Sequence, residues 1–193
     1  MQFLHSMMKK YSWMFLIACN ILRHNLESAL IMDILSRPSP NFDNRPEGTT
    51  IDSVVIHYTA KSCVEDAIAV FENPENKLSA HYTICREGRV FQHVDTKNRA
   101  WHAGKSKFGC REAFNDFSIG VELYNPGHNR GYIPYTVRQI DSLTALMYSL
   151  YEWHPIEPKL VLGHSDVSPG RKEDPGELFP WCVLVSKGLA LRP

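Results

Sequence analysis

The sequence has no excess of charge, no internal repeat, no low-complexity tract and no apolar run long enough to cross a bilayer. Lysine plus arginine equals aspartate plus glutamate at 21 each, so the basic excess of a nucleic-acid binder is missing and no nucleic-acid partner is expected. The five cysteines (Cys19, Cys63, Cys85, Cys110, Cys182) form no CxxC pair, which removes the zinc-finger and dithiol-redox readings. They read as single thiols in or near the core. Pairing of Cys63 with Cys110 stays open for an oxidising compartment. Neither a GxSxG elbow nor a paired cysteine–histidine arrangement occurs, so serine and cysteine hydrolases lack their signature here. What is present is an ordinary globular composition, 44% apolar over 193 residues, enough for one domain with a short extension.

The most informative stretch runs from Gly163 to Trp181, GHSDVSPGRKEDPGELFPW. Pro169, Gly170, Pro175 and Gly176 break it, so it reads as a loop of set shape and not a helix. Such a loop can bring His164 and Asp174 to one point. Imidazole and carboxylate are zinc ligands, and catalytic zinc sites take three protein ligands with a fourth position open. The third ligand must come from elsewhere. His57 in IDSVVIHYTA is the leading candidate, with His81 and His93 competing.

Around that loop the chain reads as strands alternating with helices. SVVIHYT is a short β-branched run, a buried strand with His57 near its end. Val64, Ala67, Ile68 and Phe71 share one helical face, and Asn73-Pro74 closes that helix. SAHYTICREGRVFQHVD is a hairpin about Glu87-Gly88. SIGVELYN is a strand with Glu122 inside an apolar run, where a carboxylate needs either a salt-bridge partner or a catalytic task. Asn125-Pro126-Gly127 then turns into a loop in which His128 and Arg130 are expected to be solvated.

Thr136-x-x-Gln139 is a capping box, and Ile140, Leu143, Met147, Leu150 and Tyr151 form one stripe, predicting a helix over 137–153 that His154-Pro155 ends. Lys159 to Leu162 is a short strand leading to His164, and FPWCVLVSKGL is a last short helix. The expected fold class is α/β, a single mixed β-sheet flanked by helices. Residues 37–50, with three prolines, form an extended lead-in.

HSDVSPGRKEDPGELFPW, VVIHYTA, SAHYTICREGRVFQHVD, RAWHAG and SIGVELYNPG together resemble the amidase-2 family, the zinc-dependent N-acetylmuramoyl-L-alanine amidases of AmpD and AmiD type. The resemblance runs in family order from about Arg37 to the C-terminus and implies the fold of peptidoglycan-recognition proteins. It implies Zn2+ held by His57, His164 and Asp174, with Glu122 as general base and Lys172 holding the oxyanion. His81 and His93 become structural. Tyr58, Trp101, His102 and Asn125 are the expected substrate contacts. The other charges of the loop, Asp166, Arg171 and Glu173, read as surface groups. The implied activity is cleavage of the amide between N-acetylmuramic acid and L-alanine in peptidoglycan or anhydro-muropeptides, by a monomer. A non-catalytic binding module on the same fold is the competing reading, and the intact set of five residues speaks for the enzyme.

Residues 1–36 are read as an extension to the amidase domain of 37–193. Lys9 and Lys10 precede the apolar run WMFLIA, a secretory pattern. Leu16-Ile17-Ala18-Cys19 resembles a lipobox that would anchor the chain to a membrane through lipidated Cys19, implying a periplasmic or outer-membrane lipoprotein. Two other readings compete. Ile21 to Ile34 recur at near-helical spacing, which suggests an amphipathic helix, and a start at Met32 would give a cytoplasmic enzyme.

Overall fold

Val54, Val55 and Ile56 are fully enclosed, which requires a strand covered on both faces, and β3 (Ser53–Tyr58) is that strand. The computed structural model describes residues 33–191. Six strands form one mixed sheet in the spatial order β1 (Ile34–Ser36), β5 (Val90–Gln92), β4 (Tyr82–Ile84), β9 (Ser118–Leu123), β3 and β10 (Val161–Gly163). Within it β4 and β5 pair antiparallel and the remaining pairs are parallel. Two small ribbons, β2 (Phe42–Asn44) with β6 (Asn98–Ala100) and β7 (Lys107–Phe108) with β8 (Arg111–Glu112), lie outside the sheet. The mixed α/β sheet expected from the sequence is therefore present.

The helices are α1 (Val64–Glu72), α2 (Val137–Trp153), the single turn α3 (His164–Val167) and α4 (Trp181–Ser186). The long one begins and ends where its capping box and His154 predict. Thr136 Oγ1 accepts from the Gln139 amide, and the Gln139 side chain accepts from the Thr136 amide. Its stripe of Ile140, Leu143, Met147 and Leu150 is buried. Burial of each such side chain stabilises the fold by about 1.5–3 kcal/mol. The β4–β5 hairpin turns at Gly88, whose φ of +87° and close approach to the Arg138 carbonyl both require glycine.

Period-two alternation decides what each strand shows to each side. On β3, Val55 and His57 share a face, and on β9 Ser118, Gly120 and Glu122 share one. Beneath the site a buried cluster of Val55, Ala103, Phe114, Leu162 and Val167 forms the floor. The lead-in is fixed by Arg45, whose guanidinium donates to the carbonyls of Thr96, Asn115, Asp116 and Ser118 and so ties this segment to the start of β9.

Four expectations need correction. Ile34 to Ser36, assigned to the extension, form the edge strand β1 paired with β5; a three-residue edge strand leaves no periodic signal to set against helical spacing. Lys159 and Leu160 lie in a 3-10 turn, Pro158–Leu160, and the strand starts at Val161. The 163–181 stretch opens with one helical turn before it becomes a loop, because its breakers begin only at Pro169. Of the four described cysteines, all free thiols, Cys85 is buried while Cys110 and Cys182 are exposed; Cys63 caps α1. The export signal, the Cys19 anchor and the helix over Ile21 onward fall outside the described residues. No described helix is long and apolar enough to cross a membrane.

Candidate metal centre

Parallel pairing sets the site. β10 lies beside β3 with Gly163 opposite Ile56, so the chain leaving β10 puts His164 next to His57 at the same end of the sheet. The α3 turn starts there because Asp166 Oδ2 accepts from the Gly163 amide at 2.6 Å. Asp174 returns to the same point through bonds on both sides of it. Its carbonyl accepts from the Ser165 amide, and the next carbonyl, Pro175, accepts from the hydroxyls of Tyr132 and Tyr135 at 2.7 Å each. Arg171 donates to the carbonyls of Ala103 and Lys105 and closes the loop onto the 103–105 segment.

Three atoms converge. His57 Nδ1 and His164 Nδ1 are 2.9 Å apart, and Asp174 Oδ2 is 3.0 Å from each. Among the described residues this is the one group of three or more histidine, cysteine, aspartate or glutamate side chains placed to hold a metal ion. All three side chains are buried. A tetrahedral site with bonds of about 2.0–2.1 Å has ligand–ligand edges of about 3.3 Å, so the triangle needs only a slight opening to take zinc. The donor set points the same way. His164 Nε2 donates to the Ala103 carbonyl at 3.1 Å, which leaves a bare lone pair on Nδ1 facing the other two atoms.

The electrostatics suit ligation. Burial, aided by the neighbouring His164, lowers His57 to about 4, so its ring is neutral near pH 7. Burial alone would raise Asp174, but the adjoining His164 and His57 rings outweigh it and hold the carboxyl well below the usual range. Glu122 behaves in the opposite way. Burial and then the charge of Asp174 push it up to about 8, against a smaller lowering by Lys172. Its Oε2 is enclosed and has no hydrogen-bond partner. Lys172 is exposed on the loop, and its charge acts on both His57 and Glu122.

The structure thus brings His57, His164 and Asp174 together, with Glu122 alongside. The expected substrate contacts are buried or half-buried. His102 is buried, with His57 Nε2 3.1 Å from its Nδ1 and Ser118 Oγ 3.3 Å from its Nε2. Asn125 is fully buried and bonded to the Ile133 carbonyl and the Gly127 amide, where it shapes its own loop. Tyr58 and Trp101 are half-buried, and the Tyr58 hydroxyl meets His128 Nδ1 at 2.9 Å. His81 and His93 are engaged elsewhere, His81 by the Gly120 amide and His93 by Thr83 and the Arg37 carbonyl.

His128, expected to be solvated, stacks on Tyr132 at 4.3 Å and bonds Glu177 at 3.0 Å. Asp166, read as a surface charge, is half-buried and caps α3, while Arg171 is exposed as expected and also closes the loop. Sequence reasoning also missed Tyr132, Tyr135, Ser118 and Gly120. Of these only Gly120 carried a signal, since a glycine inside a strand marks a close approach.

Comparison with known proteins agrees with this geometry. The family model described as N-acetylmuramoyl-L-alanine amidase, Amidase_2, matches residues 47–177. The 1,6-anhydro-N-acetylmuramyl-L-alanine amidase AmpD of Haemophilus influenzae is 37% identical over 175 residues, 81% of this chain and 93% of the relative. AmpD of Escherichia coli is 35% identical over 182 residues, 84% of this chain and 97% of the relative. Among solved structures, E. coli AmiD in complex with anhydro-N-acetylmuramic acid-L-Ala-D-gamma-Glu-L-Lys superposes with a TM-score of 0.69 at 32% identity, covering 78% of this chain and 63% of that one. The five sequence motifs, the mixed sheet and the His–His–Asp triangle converge with these matches: the chain belongs to the amidase-2 family of N-acetylmuramoyl-L-alanine amidases.

Proposed function

We propose that this chain is a zinc amidase that hydrolyses the bond between the lactyl group of N-acetylmuramic acid and L-alanine in soluble anhydro-muropeptides. The observation that carries this reading is the orphaned Oε2 of Glu122 on the strand beside the three-atom triangle. An enclosed carboxylate oxygen with no partner is costly, and a base for an attacking water is the task that accounts for it. His57, His164 and Asp174 would hold the ion. Zinc held there supplies Lewis acidity and makes water a nucleophile near neutral pH.

The remaining steps belong to the chain's own groups. Glu122 takes the proton from the attacking water and passes it to the leaving amine of L-alanine. Lys172 supplies positive charge to the oxyanion of the tetrahedral intermediate. One chain provides all five groups, which supports action as a monomer. The match to nearly the full length of AmpD relatives supports soluble fragments as substrate over intact wall.

The deciding experiment is mass spectrometry of products from anhydro-muropeptides and from purified sacculi, with and without chelator. Stem peptide released from the fragments alone, lost with chelator and restored by zinc, is the expected result. That outcome fits recycling inside a cell. Equal release from sacculi would overturn the substrate assignment and fit an exported, Cys19-anchored enzyme. No release from either would leave the binding module.

A further inference from the structure

His57 faces two competing demands. Its Nδ1 is 3.0 Å from the Asp174 carboxylate, an acceptor that favours a proton on that nitrogen. A proton there would block the lone pair a metal needs. The opposite nitrogen decides the contest, and it leads into a chain of contacts that has one direction.

The chain is best followed from its far end. Ser118 Oγ is in close contact with the carbonyl oxygen of Phe114. A carbonyl oxygen only accepts, so the serine hydrogen lies between them. Ser118 Oγ therefore accepts from its other neighbour, His102 Nε2, at 3.3 Å. A neutral imidazole that donates through Nε2 has a bare Nδ1. His102 Nδ1 lies 3.1 Å from His57 Nε2, which must then carry the hydrogen. That leaves His57 Nδ1 unprotonated and aimed at His164 and Asp174.

The His102 ring has a prepared berth. A Cβ at residue 120 would fall 2.4 Å from His102 Cγ and 2.7 Å from its Nδ1, so β9 leaves that room only because residue 120 is glycine. The amides of His102 and Ala103 both donate to Asn115 Oδ1, which fixes the backbone carrying the ring.

We propose that His102 is a positioning residue that, anchored through Ser118 to the Phe114 carbonyl, presets His57 as its Nε2–H tautomer and so keeps Nδ1 free for the metal. This rests on the zinc-site reading above. His102 touches neither substrate nor metal in this role.

The test uses the full chain. Two-bond 15N–1H correlation spectra of the metal-free wild-type protein report the tautomer of each ring. His57 and His102 are both expected as Nε2–H; His57 as Nδ1–H would overturn the proposal. Zinc affinity, measured by chelator competition, follows for three variants. His102→Leu is expected to weaken zinc binding about 10–100-fold. His102→Asn, whose amide oxygen can accept from His57, is expected to recover most of that loss. Ser118→Ala, which touches no ligand, is expected to show a smaller loss in the same direction.

Wild-type affinity in both His102→Leu and Ser118→Ala would overturn the relay while leaving the metal site standing. No zinc bound by the wild type would instead remove the site itself, and the relay with it. The wild-type spectrum and Ser118→Ala keep the test open if His102→Leu does not fold.

Discussion

Glu122 stands directly opposite His57 in the parallel pairing of β9 with β3. Residues opposite one another in a parallel pair point to the same side of the sheet, so the register alone places the carboxylate beside the His57 ring. The two residues are separated by 65 positions in the sequence and by one strand spacing in the fold.

That juxtaposition assigns different tasks to neighbouring groups, and substitution separates them. His57→Ala is expected to lose both zinc and activity. Glu122→Gln is expected to keep zinc and lose about 10²–10⁴-fold in kcat, the range for a general base. Metal content and turnover measured on the same preparations check both. Full activity in Glu122→Gln would sink its role.

Lys172 is exposed and contributes charge without holding the fold. Lys172→Met is expected to retain zinc and melting temperature and to lower kcat about 10²–10³-fold, as loss of one oxyanion donor does. Steady-state kinetics with a loss confined to KM would show a binding role instead.

The raised Glu122 pKa also has a consequence for stability. Between its ordinary value of 4.5 and about 8, the folded metal-free chain holds a proton that the unfolded chain has released. The folded state binds more protons there, so this group favours folding in acid, and that contribution is lost as pH rises through the window. Thermal melts of metal-free protein should show Glu122→Gln gaining on the wild type between pH 5 and pH 8. A gap that is constant with pH would contradict the shift.

Gly163 sits where the Asp174 arm crosses β10, and an added Cβ would meet Pro175 Cδ at 2.7 Å. Gly163→Ala is therefore expected to displace Asp174, weaken zinc about tenfold or more and cost about 1–3 kcal/mol in stability from overpacking. Thr136→Ala gives the contrast. It removes the α2 cap, with an expected cost of about 1 kcal/mol, and should leave zinc affinity unchanged. Denaturation curves and chelator competition on both variants separate the two effects.

What could be read from the chain followed from local rules. Helix 137–153 was legible because Thr136, Gln139 and the Ile140–Leu150 stripe all act within a few residues of each other. β3 was legible because a β-branched run fits a strand buried on both faces. The grouping of His57, His164 and Asp174 was legible through their motifs. The surroundings of that group were not. His102 was read as a cleft residue because its motif gives no hint that Ser118, 16 positions on, would take its second nitrogen. Tyr132 and Tyr135 were silent because the carbonyl they hold, Pro175, is about 40 residues away in sequence. The bonds to His102 and Pro175 are long-range and have no period.

The glycine in the middle of β9 has a practical meaning for engineering. By strand propensity residue 120 is a weak choice, and a stabilisation programme that scores positions locally would replace it with valine or threonine. The gain in sheet propensity would be taken from the space of the His102 ring. A variant of that kind is expected to melt lower than the wild type, because a Cβ 2.4 Å from His102 Cγ overpacks a buried ring, and to require more zinc for turnover. The position that propensity marks for improvement is one where both stability and metal binding depend on an absent side chain.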